Sequence, residues 1–327
     1  MMRQAGRHLP EYRDVRASTN GFIDFCFSPK KAARVTLQPI DRYDMDAAIL
    51  FADILLIPIG LGRDVHFEKG VGPVLTPMTV SDVKALTING AAERISSVWE
   101  TVSLVRSKLS QDKTLIGFCG GAWTVATYML EGRGTPDKEI AKRFAYEHPE
   151  AMDDLLEAIA ISSADYLIGQ GKAGANVLKI FESWAQGLSA PLFEKLVIRP
   201  TKIMIDRVRS AGIDIPIIGF PRAAGLNLQS YSDTVNTQAI AAGTDTPLVQ
   251  MRKIVGREKT IQGNLDPLAL RIGGDVLKNA VQKVLDDAAK AGGPYIFNLG
   301  HGVSPDVKID NVHAVINHLR KGEGNYV

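Results

Sequence analysis

The 327 residues carry 38 Lys and Arg against 36 Asp and Glu, a net charge of +2, with 45% hydrophobic and 23% charged residues. That is ordinary globular composition with enough chain for a large core, and its charge balance argues against a general nucleic-acid or membrane-surface binder. Cys26 and Cys119 are the only cysteines, too few for a disulfide framework and suited to a reducing cytoplasm, and neither a signal peptide nor an apolar run near the roughly 20 residues of a membrane helix is present.

The chain opens on Met1-Met2-Arg3-Gln4-Ala5-Gly6-Arg7, two arginines bracketing a small, flexible turn. Arginine offers a planar fork that matches carboxylates, and glycine lets backbone approach a ligand closely. Short apolar runs bounded by Gly, Pro, Asp or Asn then recur at Ala47–Phe51, Thr114–Phe118, Asn176–Phe181, Ile215–Phe220, Gln238–Ala241, Thr260–Gln262 and Tyr295–Leu299. They read as buried strands. Helical patterns lie between them at Val80–Leu109, from Thr135-Pro136 onward, and at Pro149–Gly169, Pro191–Ala211, Pro247–Val255 and Pro267–Ala291. Alternating strand and helix predicts a parallel sheet with right-handed crossovers. With Met1-Met2 as the tail of an eighth strand, the expectation is a single (β/α)8 TIM-type barrel over residues 1–327. The alternative is an open doubly wound sheet, which usually carries a Gly-rich phosphate loop after its first strand; no GxGxxG or GxxxxGK[ST] occurs.

A barrel predicts functional residues just past its strands. Arg3 and Arg7 follow the first, Asp53 follows Ala47–Phe51, Gly120-Gly121-Ala122-Trp123 follows Thr114–Phe118, Ser183-Trp184 follows Asn176–Phe181, and His301 follows Tyr295–Leu299. Asp53 is the only charge in Ile49–Pro58. A helix cap or structural ion pair and a working carboxylate are equal readings of it. His301, between two glycines, leans to function over a structural role. The bland reading of Ser183 is a helix N-cap, and no Gly-x-Ser-x-Gly marks it as an acyl-transfer nucleophile. Chemistry alone makes Tyr128 a core or interface tyrosine. Arg13 and Arg16 read as surface arginines, and His318 as a solvated helix end. The six histidines are scattered, with no metal signature such as HExxH.

Together the segments resemble the uroporphyrinogen decarboxylase family. The resemblance rests on Met2–Arg7 with Leu9-Pro10-Glu11-Tyr12-Arg13, Thr36-Leu37-Gln38-Pro39, and Phe118–Thr124 with Thr127–Gly132. It continues through Phe181–Ala185, Gln262–Pro267 and Phe297–Gly302. It implies a cytoplasmic, usually homodimeric (β/α)8 enzyme of haem and chlorophyll synthesis, without cofactor or metal. That enzyme converts uroporphyrinogen III to coproporphyrinogen III by removing four acetate carboxyls. It implies substrate binding at Arg3, Gln4, Ala5, Gly6, Arg7, Asp53, Tyr128, Ser183 and His301, with Asp53, Arg3 and Arg7 as the catalytic set. The family's short leader, with most of the first strand, has no counterpart before Met1. Ala122, Phe27 and Thr246 depart from the family's usual proline, basic residue and tryptophan.

The chemistry explains the residue types. Protonating the ring carbon that bears the acetate makes a cationic, iminium-like pyrrole, and this accepts the electrons left by departing carbon dioxide; the substrate ring takes a cofactor's place. Asp53 suits the ring N–H groups and the developing cation, and the arginines suit the substrate carboxylates. The proton comes through an arginine relay or, alternatively, from His301. The nearest rivals are a methyltransferase on the same barrel, which usually holds zinc through late His and Cys ligands, and a tetrapyrrole-binding relative without turnover. No cysteine follows Cys119.

Overall fold

The computed structural model describes residues 6–68 and 70–321. Nine strands occur among them: β1 Ala47–Ile49, β2 His66–Glu68, β3 Gly72–Val74, β4 Thr114–Gly120, β5 Val177–Glu182, β6 Ile217–Pro221, β7 Ala239–Ala241, β8 Thr260–Leu265 and β9 Tyr295–Leu299. β2 and β3 form a separate antiparallel hairpin. The other seven make one parallel sheet in the order β1-β4-β5-β6-β7-β8-β9. They correspond to the seven apolar runs, with ends shifted by up to three residues.

Strand order decides between the two candidate architectures. A doubly wound sheet reverses direction at a switch point. Here every strand pairs with the next one in sequence and the order never reverses. The seven described strands form a curled parallel sheet of the TIM-barrel type, and the expected eighth strand at Met1-Met2 lies outside the described residues. The helical layer meets across the gap between β9 and β1. The Ile309–Lys321 helix lies against the Pro29–Tyr43 helix, with the His313 ring 4.9 Å from Tyr43 and Arg320 bonded to Asp46 at 2.9 Å.

Burial follows the alternation of the strands. Leu178 and Ile180 of β5 face the helices in the main core. Ile218, Phe220, Ala239 and Ala241 form a second apolar cluster with Val177 and Phe181. These positions, two apart on neighbouring strands, fill the barrel interior. Lys179 lies among them, 1% exposed. Its ammonium bonds to Gln262 and sits 4.9 Å and 5.3 Å from the ring centres of Phe181 and Phe220.

Several helices differ from expectation. Val80–Leu109 is two helices, Val80–Lys84 and Ser97–Lys108, separated by a loop and a 3₁₀ turn. Gly90, at φ 72°, makes the turn that the apolar spacing hides. The helix expected from Thr135-Pro136 starts at Glu139. Pro267–Ala291 breaks at Gly273, φ 80°, where a Cβ would stand 2.4 Å from the Asn311 side chain. Ala190–Ser210 stays helical but widens into a π turn at Glu194–Ile198, just before Pro200, whose missing N–H disrupts the regular ladder. Among the described residues no helix is long and apolar enough to cross a membrane.

Candidate active site

All seven barrel strands are parallel, so the loops at their carboxyl ends share one mouth. Each mouth residue is fixed by a local device. At the end of β1, the Phe51 N–H donates to the Thr36 hydroxyl at 2.9 Å. The same hydroxyl donates to Ala32 O, so the Thr36–Pro39 segment anchors the backbone two residues before Asp53. Asp53 is half-buried and accepts the Leu55 N–H at 2.9 Å. This bond closes a turn ahead of the Leu56–Gly60 helix, whose N-cap is Leu55, so the helix-cap reading of Asp53 is not realised. Its charge also reaches inward, helping burial to hold the Cys26 thiol and Tyr166 phenol above their ordinary values.

At the end of β4, both glycines are demanded by close approach. A Cβ on Gly120 would lie 2.9 Å from the Ile54 side chain, and one on Gly121 would lie 2.3 Å from the Glu182 carboxylate. Glu182 ends β5, 1% exposed, and caps the Ala122–Glu131 helix across the loop. It accepts the Trp123 N–H at 3.2 Å and the Thr124 hydroxyl. Burial pushes its carboxyl up to about 8, outweighing the hydrogen bonds that favour the anion. Trp123 Nε1 donates to Trp184 O at 3.0 Å, and the Trp184 N–H donates to the Thr124 hydroxyl at 3.3 Å. Tyr128, on the same helix, stacks on Trp184 with ring centres 4.3 Å apart.

This network brings Tyr128 and Ser183 to one wall of the mouth. No helix starts at Ser183, so the N-cap reading is not realised; the residue sits in the turn after β5. Its carbonyl accepts Arg222 Nη1 at 3.1 Å. His301 is half-buried in the bend after β9. Gly300 before it lies so close to the β7 loop that a Cβ would stand 2.6 Å from Thr244 N.

Arg3, Gln4 and Ala5 lie outside the described residues. Gly6 is buried at φ 71°, a conformation that favours glycine, and Leu9 N bonds back to Gly6 O at 2.6 Å. Arg7 is exposed. His8 anchors this turn through a 2.9 Å bond from Nε2 to the Tyr43 hydroxyl, and burial lowers its imidazole to about 4. Arg13 is exposed, as read from sequence, but Arg16 is half-buried, 5.4 Å over the Phe22 ring. His318 likewise bonds to Gln282 at 2.9 Å. Among the described residues no group of three His, Cys, Asp or Glu side chains is placed to hold a metal.

Sequence reading missed Glu182, whose carboxylate ties this wall together, and Arg222, which bonds to Ser183 O. The signal for Glu182 was the one used for Asp53, a lone acid ending an apolar run. Arg222 is likewise a lone cation just past a strand.

The model of the uroporphyrinogen decarboxylase family matches residues 1–322. A uroporphyrinogen decarboxylase of Maricaulis maris is 49% identical over 320 residues, covering 98% of this chain and 92% of that protein. One of Caulobacter vibrioides is 49% identical over 318 residues, covering 97% and 90%. Among solved structures, a methyltransferase from Methanosarcina mazei superposes with a TM-score of 0.77 at 16% identity, covering 96% and 90%. A B12-independent methionine synthase from Shewanella gives 0.57 at 11% identity, covering 90% and 86%. These two likenesses are of fold alone.

Proposed function

Because this chain belongs to the uroporphyrinogen decarboxylase family and is a carboxy-lyase of porphyrin biosynthesis, we propose that its mouth residues divide the work of decarboxylation as follows. Uroporphyrinogen III enters the mouth and loses its four acetate carboxyls to give coproporphyrinogen III. Asp53 accepts the pyrrole N–H groups and stabilises the ring cation formed when the acetate-bearing carbon is protonated. Its Leu55 N–H partner fixes the carboxylate's direction, and the apolar neighbours strengthen its field. Arg3 and Arg7 hold substrate carboxylates, and one of them relays the proton from a bound carboxylate or water. Gln4, Ala5 and Gly6 shape that turn around the substrate. Tyr128, Ser183 and His301 orient peripheral acetates and propionates.

The observation that supports this reading most is the placement of Asp53. It stands at the carboxyl end of β1 with Phe51 anchored behind it and Ile54 packed against Gly120. We extend the reading to a single catalytic domain over residues 1–327, working in the cytoplasm as a homodimer. Anaerobic incubation with uroporphyrinogen, scored by chromatography, tests the site: Asp53→Ala abolishes coproporphyrinogen formation while the protein stays folded. Undiminished product would refute the role of Asp53. A pH–rate profile tests the relay: an essential acid titrating near about 6.5 assigns the proton to His301, and a flat profile there supports the arginines.

A further inference from the structure

We propose that Arg222 binds a carboxylate of the tetrapyrrole substrate beside Ser183, and that Lys138 is a buried positioning charge strengthening that subsite from behind Trp184. The inference rests on the placement of substrate against Tyr128 and Ser183.

Arg222 follows β6 and reaches the neighbouring loop after β5, with Nη1 3.1 Å from Ser183 O and its own N–H bonded to Glu182 O at 3.0 Å. Its side chain also runs alongside Gly243, on the loop after β7. A half-buried guanidinium held among three adjacent mouth loops beside Ser183 can give charge-assisted hydrogen bonds to a carboxylate of a substrate seated there.

Lys138 has three unfavourable features for a lysine. It is 2% exposed, it adopts φ 52°, and it precedes the Glu139–Glu147 helix, where the helix dipole disfavours a cation. Its ammonium donates to Pro136 O at 2.8 Å and lies 5.5 Å from the Trp184 ring centre, and among the described residues it forms no ion pair. Burial, then repulsion from Lys142 and Arg222, holds it below the ordinary lysine value, and Asp137 and Glu131 offset that only in part. An anion bound at Arg222 relieves its repulsion with Lys138, so the buried lysine favours the anion-bound state of the subsite.

The test is steady-state kinetics on uroporphyrinogen with Arg222→Gln, Arg222→Lys and Lys138→Gln, each with a melting temperature. Lys138→Gln removes the charge and retains a donor for Pro136. We expect Arg222→Gln to raise KM about tenfold or more, with kcat within about threefold. Arg222→Lys falls between it and the parent. Lys138→Gln raises KM a few-fold and weakens its salt dependence, while its melting temperature holds or rises because an uncompensated buried charge is gone. An unchanged KM in folded Arg222→Gln and Lys138→Gln overturns the proposal, as does a fall in kcat at constant KM. Tyr128→Phe and Ser183→Ala separate the failures. If they raise KM and the cation variants do not, only this inference is wrong; if none does, the placement of substrate on this wall is wrong.

Discussion

On the β4–β5 side of the mouth, Glu182, Thr124, Trp123 and Trp184 are joined by four hydrogen bonds that fix Tyr128 and Ser183 to each other. Ahead of β1 in the chain, the Gly6–His8 turn carries the exposed Arg7 and is anchored to the Pro29–Tyr43 helix by the bond from His8 to Tyr43. The first is a buried polar network whose acid is shifted toward its neutral form. The second hangs on a histidine also held neutral by burial. Both choose the uncharged species, but one is an acid and the other a base, so the two sides respond to pH in opposite senses. The first is a hydrogen-bonded wall and the second carries an exposed arginine.

Asp53 stands where the sides meet, and changing it has the largest expected effect. Asp53→Asn keeps an acceptor for the Leu55 N–H but removes the charge. It should lower kcat by about 10²–10³ with little change in melting temperature, read by anaerobic turnover beside circular dichroism. The next effect sharpens the comparison. Glu182→Ala leaves the Trp123 N–H and the Thr124 hydroxyl buried without their acceptor, and should cost about 1–3 kcal/mol in denaturant titration while raising KM. Glu182→Gln should recover most of the stability.

The pH dependence then separates the sides. The Glu182 carboxyl rises to about 8 in the folded chain from an ordinary 4.5, so the native state holds a proton that the unfolded state releases. Its contribution is complete below about 4.5 and is lost as pH climbs toward about 8. His8, lowered to about 4, gives the reverse: its contribution is complete above about 6.5 and is lost as pH falls toward about 4. Denaturant melts across pH 4–8 should show Glu182→Gln flattening the alkaline decline and His8→Phe flattening the acid decline. Each variant losing the other's slope would overturn this assignment. The smallest effect is Tyr43→Phe, about 1 kcal/mol, because it removes only the hydroxyl that His8 bonds.

Much of the barrel was legible because a parallel strand buried on both faces is written as an apolar run, and the mouth follows from where those runs end. Asp53, Ser183 and His301 were visible as polar residues just past strands. What stayed hidden depends on contacts distant in sequence. Lys179 sits within Asn176–Phe181 and gives no sign that its ammonium will meet Gln262, 83 residues on, between two phenylalanine rings. The helices Pro10–Ala17, Phe22–Cys26 and Pro29–Tyr43 are short or rich in charge, and their packing is set by tertiary aromatic contacts such as Phe25 with Phe51, 4.4 Å apart. The break inside Val80–Leu109 depends on backbone bonding to distant segments, such as Thr87 N to Leu61 O. Periodicity counts apolar residues and is blind to such partners.

The contact between the Ile309–Lys321 and Pro29–Tyr43 helices also orders assembly in time. Arg320 meets Asp46 across 274 residues of chain, so the ring of helices is sealed last during synthesis. At roughly 5–20 residues per second, β1 waits on the order of tens of seconds for the helix whose Arg320 meets Asp46. Through that interval the face of the Pro29–Tyr43 helix that meets His313 lacks its cover, and a chaperone that shields it until the last helix emerges should raise the yield of folded protein.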